Sequence, residues 1–405
     1  MSTAVGLDQK TIEIIKSTVP VLQEHGEAIT KHFYKIMLEN EPELKNVFNQ
    51  TNQRKGAQSK ALAGAVYAAA ANIEHLENIL PNVKQIAHKH TSLNIKPEQY
   101  PIVGKYLLIA IKEVLGDAAT DEIIEAWGKA YGVIADVFIS VEKEMYDEKQ
   151  NASGDWVGFR DFTVAEKIPE SEVITSFYLK PADNGEIPSY RPGQYITIKA
   201  QIDGEPYDHL RQYSLSAAPG QNFLRISVKR ENEHNPEGIV SNYLHNQVQE
   251  GSVVSISSPS GDFVLNDAEQ RSLVLISGGV GLTPLVSMLE TVVKEQPERK
   301  VIFIHATRSR AYHAMKDRVA SIAEANEQVT HYTVYEDNSN ADACDKQGFI
   351  DYDWLKTVIP TTDASFYMCG PKGFMSAING LLRKLNVADD DIHFEFFGPM
   401  DELAN

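Results

Sequence analysis

The chain has 405 residues, 42% of them hydrophobic and 23% charged, with a formal net charge of -18. Domains of about 100–200 residues predict two to four such units, and the acidic balance argues against general binding to nucleic acid or anionic membrane. Two cysteines, Cys344 and Cys369, are too few for a disulfide framework; no apolar run nears the roughly 18 residues of a bilayer span, and no basic segment leads into an apolar core at the N-terminus. The expectation is a cytoplasmic protein.

Up to about residue 146 the hydrophobic pattern has helical period and few breakers. Tyr34 borders the face of Phe33 and Met37, and Gln58 heads the stripe Gln58, Leu62, Val66. The Ala-rich stretch Ala61–Ala71 is a good helix former. Read as a helix opened by Pro81, the segment to His90 puts Val83, Ile86, Ala87 and His90 on one face and turns His88 toward solvent. Tyr100 begins the stripe Tyr100, Val103, Leu107, Ile111. A later helix, Ile124–Met145, carries Glu142 in the middle of an apolar stripe, where a carboxylate needs a partner unless it lies at a solvated end. Each of these polar groups alone reads as a core or rim residue. Five of them edging apolar faces in one helical domain suggest a lined pocket.

The polar, small-residue stretch Asp147–Asp155 reads as a linker. Beyond it, strand candidates such as Tyr195–Lys199 and Phe223–Val228 have spacings suited to an antiparallel barrel over residues 155–265. A softer boundary near Asn266–Ser272 precedes the apolar run Leu273–Ile276, a glycine turn, a helical pattern from Pro284 to Val293, and the apolar strand Val301–His305. Strand–helix–strand of this kind predicts a parallel α/β sheet over 271–405.

Four motifs follow one another in this half. In Arg211-Gln212-Tyr213-Ser214, an arginine suits a pyrophosphate, a tyrosine offers a stacking face, and a serine can bond a ring nitrogen. The turn Gly278-Gly279-Val280-Gly281-Leu282-Thr283-Pro284 lets backbone N–H groups approach a pyrophosphate; Thr283 is the candidate helix cap, and Pro284 stands where a dinucleotide fingerprint has its third glycine. Cys369-Gly370-Pro371 and Phe396-Phe397-Gly398-Pro399 complete the series. An ordinary strand and a tight turn are the bland readings of the first two. Order and spacing together favour a flavin site followed by a nicotinamide site. The pair Arg308 and Arg310 stands where a 2′-phosphate could be caught, with a solvated pair equally open, so NADH and NADPH are not distinguished.

This half resembles the ferredoxin–NADP reductase-like superfamily. The likeness implies FAD on the barrel, contacted also by Pro192-Gly193-Gln194-Tyr195 and Gly238-Ile239-Val240-Ser241, with Phe396-Phe397 over the flavin. It implies NAD(P)H on Gly279–Pro284 and Cys369-Gly370-Pro371. With His-Phe-Tyr (32–34), Pro-Glu-Leu-Lys (42–45), Asn-Gln-Arg (52–54), Lys-His-Thr-Ser (89–92), Ile-Lys-Pro-Glu-Gln-Tyr (95–100) and Ala-Trp-Gly-Lys-Ala-Tyr-Gly (126–132) added, the chain resembles a flavohemoglobin end to end. That resemblance implies an all-α globin domain holding haem b with His90 as iron ligand and Glu142 and Tyr100 behind it. It also implies Tyr34, assisted by Gln58, donating to bound dioxygen, and Lys89 and Glu395 linking haem and flavin. The implied activity is a nitric oxide dioxygenase that passes electrons from NAD(P)H, NADH by the family's habit, through FAD to haem. O2 and NO are its small-molecule substrates, and a monomer without a protein partner is expected. The alternatives are a haem-based O2 or NO sensor, and a flavin or ferric reductase with an accessory globin.

Overall fold

The computed structural model of the chain describes residues 6–48, 56–233, 235–337 and 343–397. The helical part contains α1 (Gln9–Asn40), α2 (Ala57–Ala71), α3 (Leu80–Ser92), α4 (Tyr100–Leu115) and α5 (Asp121–Asn151). Helix α1 starts where Asp8 accepts from the Thr11 amide at 2.9 Å, and α5 where Thr120 accepts from the Ile123 amide at 3.3 Å. Pro sits in the first turn of α3 and of α4, where its missing N–H is not needed. The apolar faces close over Ile15, Phe33, Met37, Leu107 and Trp127.

Helix α5 runs on to Asn151, so the stretch expected as a linker is helical over its first half. Its long polar side chains are good helix formers, Lys143 pairs with Asp147 one turn on, and Lys149 reaches Ser260 of the barrel at 2.7 Å. The polarity marks a solvated helix end that docks on a second domain. The joint is formed by 152–158, with Gly154 and Gly158 at positive φ.

Strands β1 (Phe159–Pro169), β2 (Ile174–Pro181), β3 (Tyr195–Ala200), β4 (His209–Ser214), β5 (Leu224–Lys229) and β6 (Val253–Ser257) form an antiparallel sheet ordered β4-β3-β6-β1-β2-β5. A bridge between Leu215 and Ile226 joins the two ends of that order and closes the barrel. Helix α6 (Ile239–Asn246) follows β5 and packs on it.

The last part is a parallel sheet ordered β10-β9-β8-β7-β11-β12, made of β7 (Ser272–Gly278), β8 (Val301–Thr307), β9 (Val329–Tyr335), β10 (Lys346–Gln347), β11 (Ala364–Cys369) and β12 (Ile392–Glu395). Helices α7 (Leu282–Glu295), α8 (Lys316–Ala325), α9 (Tyr352–Val358) and α10 (Lys372–Lys384) alternate with its strands. Strand β11 is buried at every position, as a strand covered on both faces must be. Helical, antiparallel and parallel parts thus stand in the expected order.

Under the parallel sheet His305 and His313 stack with ring centroids 4.6 Å apart, bonded to Ser277 at 2.8 Å and to Tyr335 at 2.9 Å. Burial pushes His305 down to about 4 and, with His305 beside it, His313 down to about 2. Unfolded, each ring binds its proton near pH 6.5, whereas folded it binds only far below. The unfolded state therefore holds the extra protons in between, and stability falls as pH drops below 6.5. Calorimetry between pH 7 and 5 should show a declining unfolding temperature. In a His305→Asn, His313→Gln double variant the decline should be shallower, and an unchanged slope would clear the pair of the effect.

Candidate functional site

A single cavity of 1310 Å³ runs from the helical domain across the face of the barrel to the edge of the parallel sheet. At its helical end α3 presents His90, whose periodicity already placed it on the inner face. Its Nδ1–H donates to Glu142 Oε1 at 2.7 Å, and the Tyr100 hydroxyl donates to the same oxygen at 2.5 Å. Glu142 is only 2% exposed, so its break in the apolar stripe marks a partnered carboxylate and not a solvated helix end. A carboxylate only accepts, so the imidazole proton is held at Nδ1 and Nε2 keeps its lone pair. Among the described residues no hydrogen bond is made to that nitrogen. Tyr131 donates to the Tyr100 carbonyl at 2.6 Å and ties α5 to the start of α4.

Across the cavity stand Tyr34 from α1 and Gln58, Leu62 and Val66 from α2. Tyr34 is 7% exposed, hydrogen-bonded by the Gln58 side chain, and burial raises its phenol pKa far above the ordinary value. An imidazole lone pair facing a phenol across a space lined by Phe33, Phe48, Ile86, Val103 and Phe138 fits haem. His88 is the exception to the helical reading. It is half-buried against the second domain, near Asp262 and Lys149, and burial lowers its pKa. Helical periodicity describes a single domain and is blind to a neighbour docking on its polar face.

The middle of the cavity is walled by Tyr195 on β3, by Arg211, Gln212, Tyr213 and Ser214 on β4, and by Ser241 on α6. Arg211 donates to the Leu210 carbonyl at 2.7 Å, burial lowers its pKa, and no described carboxylate pairs with it. A half-buried guanidinium left with that one neutral acceptor beside two tyrosine rings fits the pyrophosphate and rings of FAD.

At the far end Val280, Thr283, Glu395, Phe396 and Phe397 line the cavity. Gly279, Gly281, Leu282, Pro284, Cys369 and Gly370 stand just behind, where β7 and β11 pair in register up to Ser277 and Cys369. The glycine turn must pass close to the second motif: a Cβ on Gly281 would lie 2.2 Å from the Cys369 carbonyl oxygen, and Gly279 has φ +54°. Thr283 does not cap α7. Gly281 holds the cap position, and the Thr283 hydroxyl donates back to the Val280 carbonyl at 3.1 Å, because the helix begins two residues earlier, at Leu282. Burial raises the Cys369 thiol, with Glu395 adding to the shift. Gly281→Ala should prise the two turns apart and slow flavin reduction by NADH roughly 100-fold through misplacement of the nicotinamide, with haem and flavin content kept. Stopped-flow bleaching at the wild-type rate would show that the close approach carries no function.

Glu395 and Lys89 both line the cavity and interact electrostatically. Burial raises Glu395 to about 7 with Lys89 opposing and Asp262 adding, and burial lowers Lys89. Phe396 is half-buried and Phe397 is 51% exposed. Gly398, Pro399 and Asn52-Gln53-Arg54 lie outside the described residues. Arg308 is already engaged, its two terminal nitrogens 2.5 and 2.7 Å from the Glu233 carboxylate. Arg383 and Asn379 of α10 also line the cavity, and no local pattern in the sequence pointed to them.

Residues 31–138 match the globin family, 161–265 the oxidoreductase FAD-binding domain and 275–380 the oxidoreductase NAD-binding domain. Fold and site therefore define a haem oxidoreductase that carries its own flavin reductase. A flavohemoprotein of Oceanobacillus iheyensis is 70% identical over 403 residues, covering 100% of this chain and 99% of the relative. The crystal structure of a flavohemoglobin from Malassezia yamatoensis with bound FAD and heme superposes with TM-score 0.86 at 30% identity, over 97% of this chain and 100% of that one. The FAD/NAD-binding domain of a nitric oxide dioxygenase from Vibrio cholerae matches 59% of this chain and 99% of its own length at 40% identity, TM-score 0.55. The chain belongs to the flavohemoprotein family, with haem, FAD and a nicotinamide nucleotide as its redox groups.

Proposed function

We propose that the protein is a nitric oxide dioxygenase, converting NO and O2 to nitrate with electrons from NAD(P)H, and that it works as a monomer in the cytoplasm. One observation carries this reading: the His90–Glu142–Tyr100 cluster, the Tyr34–Gln58 pair and the Arg211–Ser214 strand open on the same cavity. When bound, haem supplies the iron at which the two gases react, and FAD turns a two-electron donor into single electrons. Glu142 holds the imidazole proton at Nδ1, which leaves Nε2 as the nitrogen that would hold haem iron, as a strengthened donor. Tyr34, kept protonated by burial, remains a hydrogen-bond donor at physiological pH and would donate to a gas ligand of partial negative charge in this end of the cavity. Arg211 holds diphosphate charge while Tyr195 and Tyr213 flank the ring system. Val280 and Thr283 bring the nicotinamide to it, and Lys89 and Glu395 separate the two halves of the path. Arg308 already pairs with Glu233, whose carboxylate would have to give way to a 2′-phosphate, which leans toward NADH.

The test is product stoichiometry in air with NADH and repeated additions of NO. Each nitrate requires one electron, so nicotinamide oxidised and nitrate formed should stand at one to two. A change in diaphorase rate on NO binding, with no NO lost, would point instead to a sensor.

A further inference from the structure

We propose that Ser92 is a positioning residue that holds the helix bearing His90 and the flavin strands in fixed relation for electron transfer. The inference rests on the haem and flavin placement above. Ser92 ends α3, two residues after His90, and is fully buried. Its hydroxyl donates within its own helix to the Lys89 carbonyl at 2.8 Å. From the barrel it receives the Thr197 hydroxyl at 3.0 Å and the Gln212 amide at 3.4 Å, and it is hydrogen-bonded with the Tyr195 phenol.

These three barrel groups share one face. Tyr195 and Thr197 are two apart on β3, and Gln212 on β4 is the register partner of Thr197. The hydroxyl thus meets a carbonyl of its own helix and three barrel side chains, more partners than its one proton and two lone pairs can hold at once, so no hydrogen-bonding capacity is left over. Lys89, Tyr195 and Gln212 all line the cavity, so the groups that Ser92 fixes belong to both cofactor sites at once. Electron transfer falls steeply with separation, and two of the barrel groups that Ser92 meets, Tyr195 and Gln212, line the cavity. Other links between the domains join residues that do not line the cavity: Asn46 accepts from the Asp208 amide at 2.9 Å, and Lys149 reaches Ser260 at 2.7 Å. The domains stay joined without Ser92. What changes is their fine register.

The experiment compares the cofactor-loaded Ser92→Ala protein with Ser92→Thr and with the rim control Asn46→Ala. Under anaerobic NADH, Ser92→Ala should bleach flavin at the wild-type rate while haem reduction slows by about tenfold or more. Ser92→Thr should recover much of the loss, and Asn46→Ala should alter neither step. Independently of turnover, amide hydrogen exchange should rise together in 195–214 and at the end of α3 in Ser92→Ala only. Wild-type haem reduction in Ser92→Ala overturns the proposal, as does equal slowing of both steps, which would mean general loosening. Should Ser92→Ala fail to fold, Thr197→Val removes the shorter of the two donor bonds from β3 and β4 and carries the same expectations. No step uses NO, so failure of the dioxygenase reading and failure of this proposal are told apart.

Discussion

His90→Ala should yield a protein that binds FAD, oxidises NADH with an artificial acceptor at the wild-type rate, and contains no haem. The imidazole is the group whose lone pair the structure leaves facing the helical end of the cavity, with its proton held on the opposite nitrogen by Glu142. Its loss takes away the iron ligand, whereas the barrel and the parallel sheet keep their own cores. NO consumption should fall to background. Haem retained at wild-type stoichiometry would remove His90 as ligand, and NO consumption retained without haem would transfer the activity to the flavin domains. The same variant bears on the view of the chain as a reductase with an accessory globin, which expects every physiological activity to survive it.

Tyr34→Phe should keep both cofactors and lower NO consumption in air by roughly 10- to 100-fold, the worth of a hydrogen bond to a charged acceptor of about 1.5–3 kcal/mol. Oxygen should leave faster, and the reduction of haem by NADH should not change, since Tyr34 lies across the cavity from His90 and away from the flavin wall. Removing the hydroxyl also leaves the Gln58 side chain without that partner. Laser photolysis for oxygen release and an NO electrode for turnover read the two effects separately. If oxygen release quickens but turnover holds, the phenol binds the ligand without limiting the reaction. If neither moves, Tyr34 has no part in it.

The architecture was legible because its signals are local and periodic. Apolar stripes at helical spacing marked α3, α4 and α5, and the run Leu273–Ile276 marked a strand covered on both faces. Glu142 was conspicuous as a charge inside an apolar stripe, and its partners His90 and Tyr100 were each visible on their own helices. What periodicity does not carry is where one domain rests on another. His88 looked solvated because its helix was considered alone, and the polar end of α5 looked like a linker for the same reason. Ser92 gave no sign, since a serine at a helix end is unremarkable until residues more than a hundred positions away converge on it. The buried His305–His313 stack was likewise hidden, being made by a strand and a following loop with no shared pattern. Thr283 shows the opposite limit: a cap residue in the right place was superseded by a glycine turn that starts the helix earlier.

Electrons should run along one continuous path from nicotinamide to a gas-binding haem within one chain. That path is tested most directly by visible spectra taken while NADH, then air, then NO are added to the initially anaerobic protein. Flavin should bleach first, followed by ferrous haem bands, an oxygenated spectrum in air, and its catalytic decay to the ferric form as nitrate appears. Flavin that bleaches while the haem bands stay ferric, or never appear, would contradict such a path and leave a reductase beside an unconnected helical domain.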